Sequence, residues 1–173
     1  MVENLMRIPV TTSAGVFVAH YSAHGLARLE FPNGKAANEP PALQEPLPAQ
    51  IQRWHKLTRE ALNVTLAGHT ARELPPMDTS SGTPFQKRVW EALLEIQSGK
   101  TRSYSQVAAA IGQPKAARAV GAACGANPIP VLIPCHRVLA AHNRLGGFGG
   151  GLDWKRNLLA REGIVLESVI KSG

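Results

Sequence analysis

Cys135 stands in the run Pro134-Cys135-His136-Arg137-Val138, where a soft nucleophile is followed directly by an imidazole and a guanidinium. Attack on an electrophile needs the thiolate, whereas a free cysteine holds its proton up to a pKa of about 8.5. Positive or hydrogen-bonding neighbours favour the anion, and His136 and Arg137 are the nearest such groups in the sequence. Pro134 lacks an amide donor and fixes its own φ, so the backbone leading into the thiol is stiff. This is the pattern of an activated nucleophile at a rigid corner. A buried structural cysteine beside a satisfied core histidine has the same pattern, so the surrounding chain has to decide.

The segment that delivers the thiol is Asn127-Pro128-Ile129-Pro130, a turn that stops a helix, followed by the apolar run Val131-Leu132-Ile133. Upstream, Thr83 and Pro84 are good opening residues for a helix. Its apolar stripe is Phe85, Val89, Leu93 and Ile96, with Trp90 and Leu94, and it ends at Gly99. Ser103 or Tyr104 then opens a short helix that buries Val107, Ala108 and Ile111. Gly112-Gln113-Pro114 breaks it, and Lys115 to Ala126 forms a second helix. Two packed core helices and a helix-turn-helix share this outline. The second helix has a shaved surface: Ala116, Ala117, Ala119, Gly121 and Ala122 leave only Lys115 and Arg118 with polar reach. Reading base edges in the major groove calls for Arg, Asn or Gln along the face, whereas small residues suit close, sequence-tolerant approach in a narrow groove.

The first third reads as strands over Met6–Thr11, Val16–Ser22 and Leu26–Phe31, with breaks at Ser13-Ala14-Gly15 and Ala23-His24-Gly25. Asn33-Gly34 predicts a further turn and the proline-rich stretch from Asn38 to Pro48 an exposed loop. Gln50 to Leu66 carries Ile51, Trp54, Leu57, Leu62 and Leu66 near helical spacing, and Glu73 to Gly82 reads as a linker. The expected architecture is an α/β N-terminal domain, residues 1–78, with a small antiparallel sheet and a helix. A mostly α C-terminal domain, residues 79–173, follows and carries the helix-turn-helix.

A hydrophobic content of 44% with 18% charged residues excludes a disordered chain. No apolar run reaches the ~18 residues of a membrane span, and Met1 to Val10 lacks the apolar core of a secretory signal. With only two cysteines, these features predict a cytoplasmic protein with free thiols. The charge is unevenly placed. Residues 1–81 hold seven Lys/Arg against seven Asp/Glu, and residues 82–173 hold twelve against five, so the whole net charge of +7 lies in the half with Cys135. A polyanion such as nucleic acid is the natural partner. His20, His24, His55 and His69, without a cysteine in their half, make no metal site, and neither metal nor cofactor is expected.

Thr83-Pro84-Phe85-Gln86, Val89-Trp90, Ser103-Tyr104, Arg118-Ala119-Val120-Gly121, Asn127-Pro128, Pro134-Cys135-His136-Arg137-Val138, Gly150-Gly151-Leu152 and Glu162-Gly163 follow one another in order along the chain. In that order and spacing they resemble the O6-alkylguanine-DNA alkyltransferases, from about Gly82 to Gly163. The resemblance implies direct repair of double-stranded DNA containing O6-alkylguanine, bound through the minor groove with the damaged nucleotide turned out of the stack. It implies Cys135 as alkyl acceptor, His136 as a base acting through a water, and Glu162 as the group that holds the histidine's tautomer. Tyr104 would stabilise charge on the leaving guanine, Arg118 would fill the gap in the duplex, and Asn127 would tie the helix pair to the active-site turn. Lys115, Ala116, Ala117, Ala119, Gly121 and Ala122 fall on the DNA side, and Val138, Phe148, Gly149 and Gly150 at the substrate pocket. The implied state is a monomer, with cooperative binding along DNA left open.

The glycine run Gly146 to Gly151 reads as a loop over the pocket. A phosphate-cradling loop is the rival, but the Lys and Ser/Thr of that motif are missing. Two departures stand out. Phe148 and Gly149 replace a tyrosine and a hydroxyl residue frequent in the family, which widens the expected range of alkyl groups. Cys124-Gly125-Ala126 lacks a basic residue that some relatives carry. The basic half predicts steep salt dependence: DNA affinity should fall tenfold or more between about 50 and 200 mM salt, measured by fluorescence anisotropy.

Overall fold

The computed structural model describes residues 4–33 and 46–166. The expected Gly34 corner and most of the proline-rich loop (residues 38–45) lie outside the described residues. Three strands, β1 (Met6–Thr12), β2 (Gly15–Tyr21) and β3 (Leu26–Glu30), form an antiparallel meander in the order β1-β2-β3. Ile8 pairs with Ala19 and Val10 with Phe17, so alternation sends Ile8, Val10, Phe17, Ala19, Tyr21 and Leu29 to the inner face. The outer face receives a row of Arg7, His20 and Arg28, paired strand to strand, with Glu30 beside it.

Helix α1 (Ala49–Leu66) covers the inner face with Ile51, Trp54, Leu62 and Leu66. The Tyr21 hydroxyl bridges this layer, donating to Thr58 Oγ1 at 2.9 Å and lying 3.1 Å from His55 Nδ1. The stretch after α1, expected as a plain linker, is stitched to the sheet. Leu26 N–H bonds Pro76 O, Asp78 N–H bonds Leu26 O, and the Asp78 carboxylate accepts from Ser22 Oγ. The free edge of β3 draws the chain in, because unpaired strand amides near the core need acceptors.

Helix α2 (Pro84–Leu94) opens with a complete capping box between Thr83 and Gln86. It stops at Leu94 rather than running to Gly99. Ile96 N–H folds back onto Leu93 O, which returns the Ile96 side chain to the core. Leu94, read as part of the apolar stripe, is 40% exposed. Strand β4 (Arg102–Ser103) leads into α3 (Tyr104–Ala110), which Ser103 and Gln106 close with a second capping box. Helix α4 (Ala117–Gly125) is shorter than the predicted Lys115 to Ala126. Ala116 N–H bonds Gln113 O, a turn that keeps Lys115 and Ala116 out of the helix, and Val120 N–H makes the first helical bond to Ala116 O. Strand β5 (Val138–Leu139) pairs in parallel with β4, setting the start of α3 beside the segment after Cys135. Helix α5 (Leu152–Arg161) completes the chain of elements.

Trp90 on α2 donates its indole N–H to Ala123 O on α4 at 2.9 Å, and Leu93, Val107, Val120 and Ile129 fill the space around it. Among the described residues no helix is long and apolar enough to cross a membrane. The adjacent leucines of α2 should separate by burial. Leu93→Ala should cost about 2–5 kcal/mol, and Leu94→Ala no more than about 0.5 kcal/mol, read from urea midpoints.

Candidate active site

Asn127 builds the corner from which the thiol projects. Its Oδ1 accepts the Ile129 amide at 3.0 Å, and its Nδ2 donates to Ile133 O at 2.8 Å. Between these two bonds the chain passes through Val131 at φ 75°, a left-handed conformation that a buried β-branched residue adopts only when its surroundings hold it there. Ile133 N–H closes the turn onto Ile129 O at 2.9 Å. At Pro134 (φ −81°, ψ 63°) an inverse γ-turn follows, in which Cys135 N–H bonds Ile133 O at 2.8 Å. Cys135–Arg137 then form one turn of 3-10 helix.

Three residues per turn fan successive side chains about 120° apart, which corrects the expectation drawn from sequence adjacency. Arg137 does not serve the thiol. It is buried and turns to Glu162, with Nε 3.1 Å from both carboxylate oxygens and Nη2 2.8 Å from Oε1, while Nη1 donates to Ile96 O. His136 is fully buried, and its Nε2 lies 3.0 Å from Glu162 Oε1. A carboxylate only accepts, so Nε2 carries the proton and Nδ1 the lone pair. That Nδ1 has no hydrogen-bond partner among the described residues. Glu162, whose side chain is 1% exposed, is thus the common acceptor of two cationic or protonatable neighbours. Burial would raise its carboxyl, yet the hydrogen bonds and charges of His136 and Arg137 outweigh that and hold it below 4.5. Burial lowers His136, with Glu162 opposing.

Cys135 is 6% exposed, and burial pushes its thiol up. The Asn127 side chain and the Lys155 charge act against that shift. Lys155 is wholly buried in α5 and donates Nζ to Val138 O at 2.7 Å and to Gly147 O at 3.3 Å. Burial lowers Lys155, and Cys135 and Cys124 support its charge. With the thiol protonated, Arg137 and Lys155 exceed Glu162 by one positive charge, and ionising Cys135 brings this buried set to neutrality. Tyr104, at the start of α3, is raised by burial and then by Cys124 and Cys135, with the Gly147 backbone opposing. Its ring occupies the space where a Cβ on Gly146 (φ 68°) would stand, so the glycine loop closes on the phenol.

A cavity of about 640 Å³ is lined by Cys135 together with Cys124, Asn127, Pro128, Pro130, Gly149 and Gly150. Of the predicted pocket residues, Gly149 and Gly150 line it. Val138 and Phe148 stand behind the wall: Val138 is buried in β5, where Lys155 holds its carbonyl, and Phe148 packs edge-on against Phe31 at 5.6 Å. On α4, Arg118, Ala119 and Ala122 are exposed, Ala117 and Gly121 are half-buried, and Lys115 and half-buried Ala116 lie just ahead of the helix. Among the described residues no His/Cys/Asp/Glu group could hold a metal ion.

Two participants escaped the sequence reading. Lys155 sits with Leu158, Leu159 and Glu162 at helical spacing, so a cation within an apolar stripe was the available signal. Cys124 faces the cavity, with its thiol pushed up to about 12 by burial and by Cys135.

The acid side of stability follows from these shifts. Burial holds His20, His55 and His136 below 6.5, so the unfolded chain binds protons that the folded one refuses as pH falls through 6.5. Glu162, also depressed, adds its loss below 4.5. Urea midpoints should therefore fall from pH 7 to pH 4, by up to about 1.4 kcal/mol per pH unit for each histidine, and His136→Gln should flatten part of that slope.

A profile of the 6-O-methylguanine DNA methyltransferase DNA-binding domain matches residues 84–164. The methylated-DNA–protein-cysteine methyltransferase of Mycolicibacterium paratuberculosis is 52% identical over 100 residues, which is 56% of this chain and 61% of that protein. The match thus spans about six tenths of that relative's length. The protein of the same name from Methanosarcina barkeri is 42% identical over 141 residues, 80% of this chain and 84% of its own. The crystal structure of Mycobacterium tuberculosis OGT in complex with DNA superimposes with a TM-score of 0.65 at 34% identity, covering 91% of this chain and 92% of that one. With this extent of identity to the Methanosarcina barkeri protein, and a small antiparallel sheet with helices that matches the OGT structure, the chain belongs to the family of methylated-DNA–protein-cysteine methyltransferases.

Proposed function

We propose that the protein repairs double-stranded DNA by moving an alkyl group from guanine O6 onto Cys135 Sγ. The observation that carries this reading is a buried thiol lining a cavity large enough to admit a base, followed in sequence by a histidine whose tautomer is fixed by a buried carboxylate. His136 Nδ1 is the lone pair available to take the thiol proton, relayed by a water, and Glu162 stabilises the imidazolium that results. The thiolate attacks the alkyl carbon, the carbon–O6 bond breaks, and its electron pair stays on guanine. Tyr104 stabilises that charge and guanine recovers a proton. A thioether is a poor leaving group, so each molecule reacts once. Neither metal nor cofactor enters any step.

Burial explains why the nucleotide must leave the stack, since a buried thiol cannot reach an alkyl carbon inside a duplex. We read α3 and α4 as a helix-turn-helix that enters the minor groove. The small residues Ala119, Gly121 and Ala122 allow close approach, Lys115 meets phosphate, and Arg118 at the exposed start of α4 takes the place of the extruded base. Asn127 is the hinge that links α4 to the nucleophile's turn. The same reading divides the chain at residue 78, into a supporting N-terminal unit and a C-terminal unit that binds DNA and carries the thiol. It places the protein in a reducing cytoplasm. The DNA complex of Mycobacterium tuberculosis OGT and the names of the curated relatives support DNA as partner.

A protein that recognises alkylated DNA without repairing it would need no nucleophile, and the presence of Cys135 favours transfer. Incubation with duplex containing O6-methylguanine should add one methyl group to Cys135, located by mass spectrometry of the digested protein. Cys135→Ser should retain DNA binding and gain no mass. An unchanged mass in well-folded wild-type protein would leave only the binding role.

A further inference from the structure

The cavity does not end at the thiol. Its lining also takes in Phe31 and, on the outer face of the sheet, Arg7, Arg28 and Glu30, with Asn33 just beyond β3. Strand β3 is held against the active-site turn by backbone: Leu29 N–H bonds Pro128 O at 2.9 Å, next to Asn127. Phe31 is wedged between the glycine loop and α5, with ring centroids 5.6 Å from Phe148 and 5.0 Å from Trp154. A Cβ on Gly150 would strike its ring, and Asn33 Nδ2 reaches Gly150 O at 3.4 Å. Hence the N-terminal sheet supplies one complete wall, apolar at Phe31 and charged on the outer face.

The charge on that outer face is unbalanced. Arg7, His20 and Arg28 stand in one row across the sheet, and Glu30 is the only carboxylate beside them among the described residues. His20 Nε2 lies 3.0 Å from Glu30 Oε1, while Arg28 reaches the same oxygen through Nε at 3.4 Å. His20 Nε2 nevertheless has no hydrogen-bond partner among the described residues, so here one carboxylate faces two guanidiniums. The terminal nitrogens of Arg28, whose side chain is 60% exposed, have no partner among the described residues, nor does the Arg7 guanidinium. At about 640 Å³ the cavity is in the range that holds a drug-sized ligand, more than a methylated guanine base fills.

We propose that β3 forms an extended alkyl subsite in which Phe31 receives a bulky O6 substituent and Arg28, with Arg7, selects substituents that end in a negative group. The inference rests on the alkyl-transfer reading above. The transfer is the same for every substituent: the sulfur–carbon bond forms as the carbon–O6 bond breaks, and the proton lost by Cys135 ends on the released guanine. Only the group retained beyond the reacting carbon differs. Phe31 supplies an edge for an aromatic portion, and the guanidiniums supply charge-assisted donors for a terminal carboxylate.

The test is single-turnover transfer to the full chain, followed by intact mass, from three free bases: O6-benzylguanine and its 4-carboxy and 4-aminomethyl derivatives. The 4-carboxybenzyl compound should react about five- to tenfold faster than the 4-aminomethyl compound, and high salt should shrink the ratio. Arg28→Glu should invert that ratio, and Arg28→Ala should erase most of it, while methyl transfer from O6-methylguanine DNA stays at the wild-type rate. Equal rates for the two charged bases, a ratio unmoved by either variant, or rejection of all three bases by a protein active on methylated DNA would each overturn the subsite. Loss of methyl transfer by the wild-type protein would instead overturn the underlying function, so the two failures are distinct.

Discussion

The buried carboxylate of Glu162 is the constraint around which the site is assembled. It lies at the end of α5, far along the chain from the turn that carries His136 and Arg137, yet it meets both. A carboxylate taken out of water is tolerated only where hydrogen bonds and opposite charge replace its hydration, and Arg137 provides both through a bidentate contact. In return the carboxylate compensates the buried guanidinium and orients the imidazole. Removing it would leave Arg137 uncompensated as well as releasing His136. Structural and chemical roles are therefore inseparable at this position.

What holds Glu162 there comes from both halves of the chain. Arg161, the residue before it, donates to Leu66 O at the end of α1, and its own carbonyl packs against Gly68. Ser98, in the connection after α2, bonds Gly68 O and meets Thr70 through its amide. Arg137 closes the arrangement by donating to Ile96 O in that same connection. The N-terminal helix thus fixes the end of the C-terminal helix, and with it the tautomer of His136. At the opposite side of the site Phe31 and the β3 edge brace the glycine loop and the Asn127 turn. The sheet and α1 do more than add stability to a separate catalytic unit.

The thiol illustrates how burial and charge are set against each other. Burial disfavours the thiolate, and the nearest compensating groups are the Asn127 side chain and the Lys155 charge. Lys155 is itself taken out of water and gives its protons to two carbonyls, Val138 and Gly147, that flank the site. Oxidation of a thiol follows thiolate character and exposure, and burial disfavours both at Cys135. His136, whose Nδ1 lone pair has no partner among the described residues, is buried in the same interior.

Much of the fold follows from local chemistry that a linear chain displays. The three strands, the capping boxes at Thr83 and Ser103, the break at Gly112-Gln113-Pro114 and the rigid turn before Cys135 depend on residues within a few positions of one another, so spacing and residue type determine them. The same holds for the shaved surface of α4. Tertiary structure alone decided the rest. Adjacency in sequence pointed Arg137 at the thiol, and the 3-10 turn sent it to Glu162 instead. A buried lysine, a second cysteine facing the cavity, and a sheet that walls the site all arise between segments tens of residues apart. Which side chain compensates which buried charge is a matter of long-range packing and dielectric, and no local pattern encodes it.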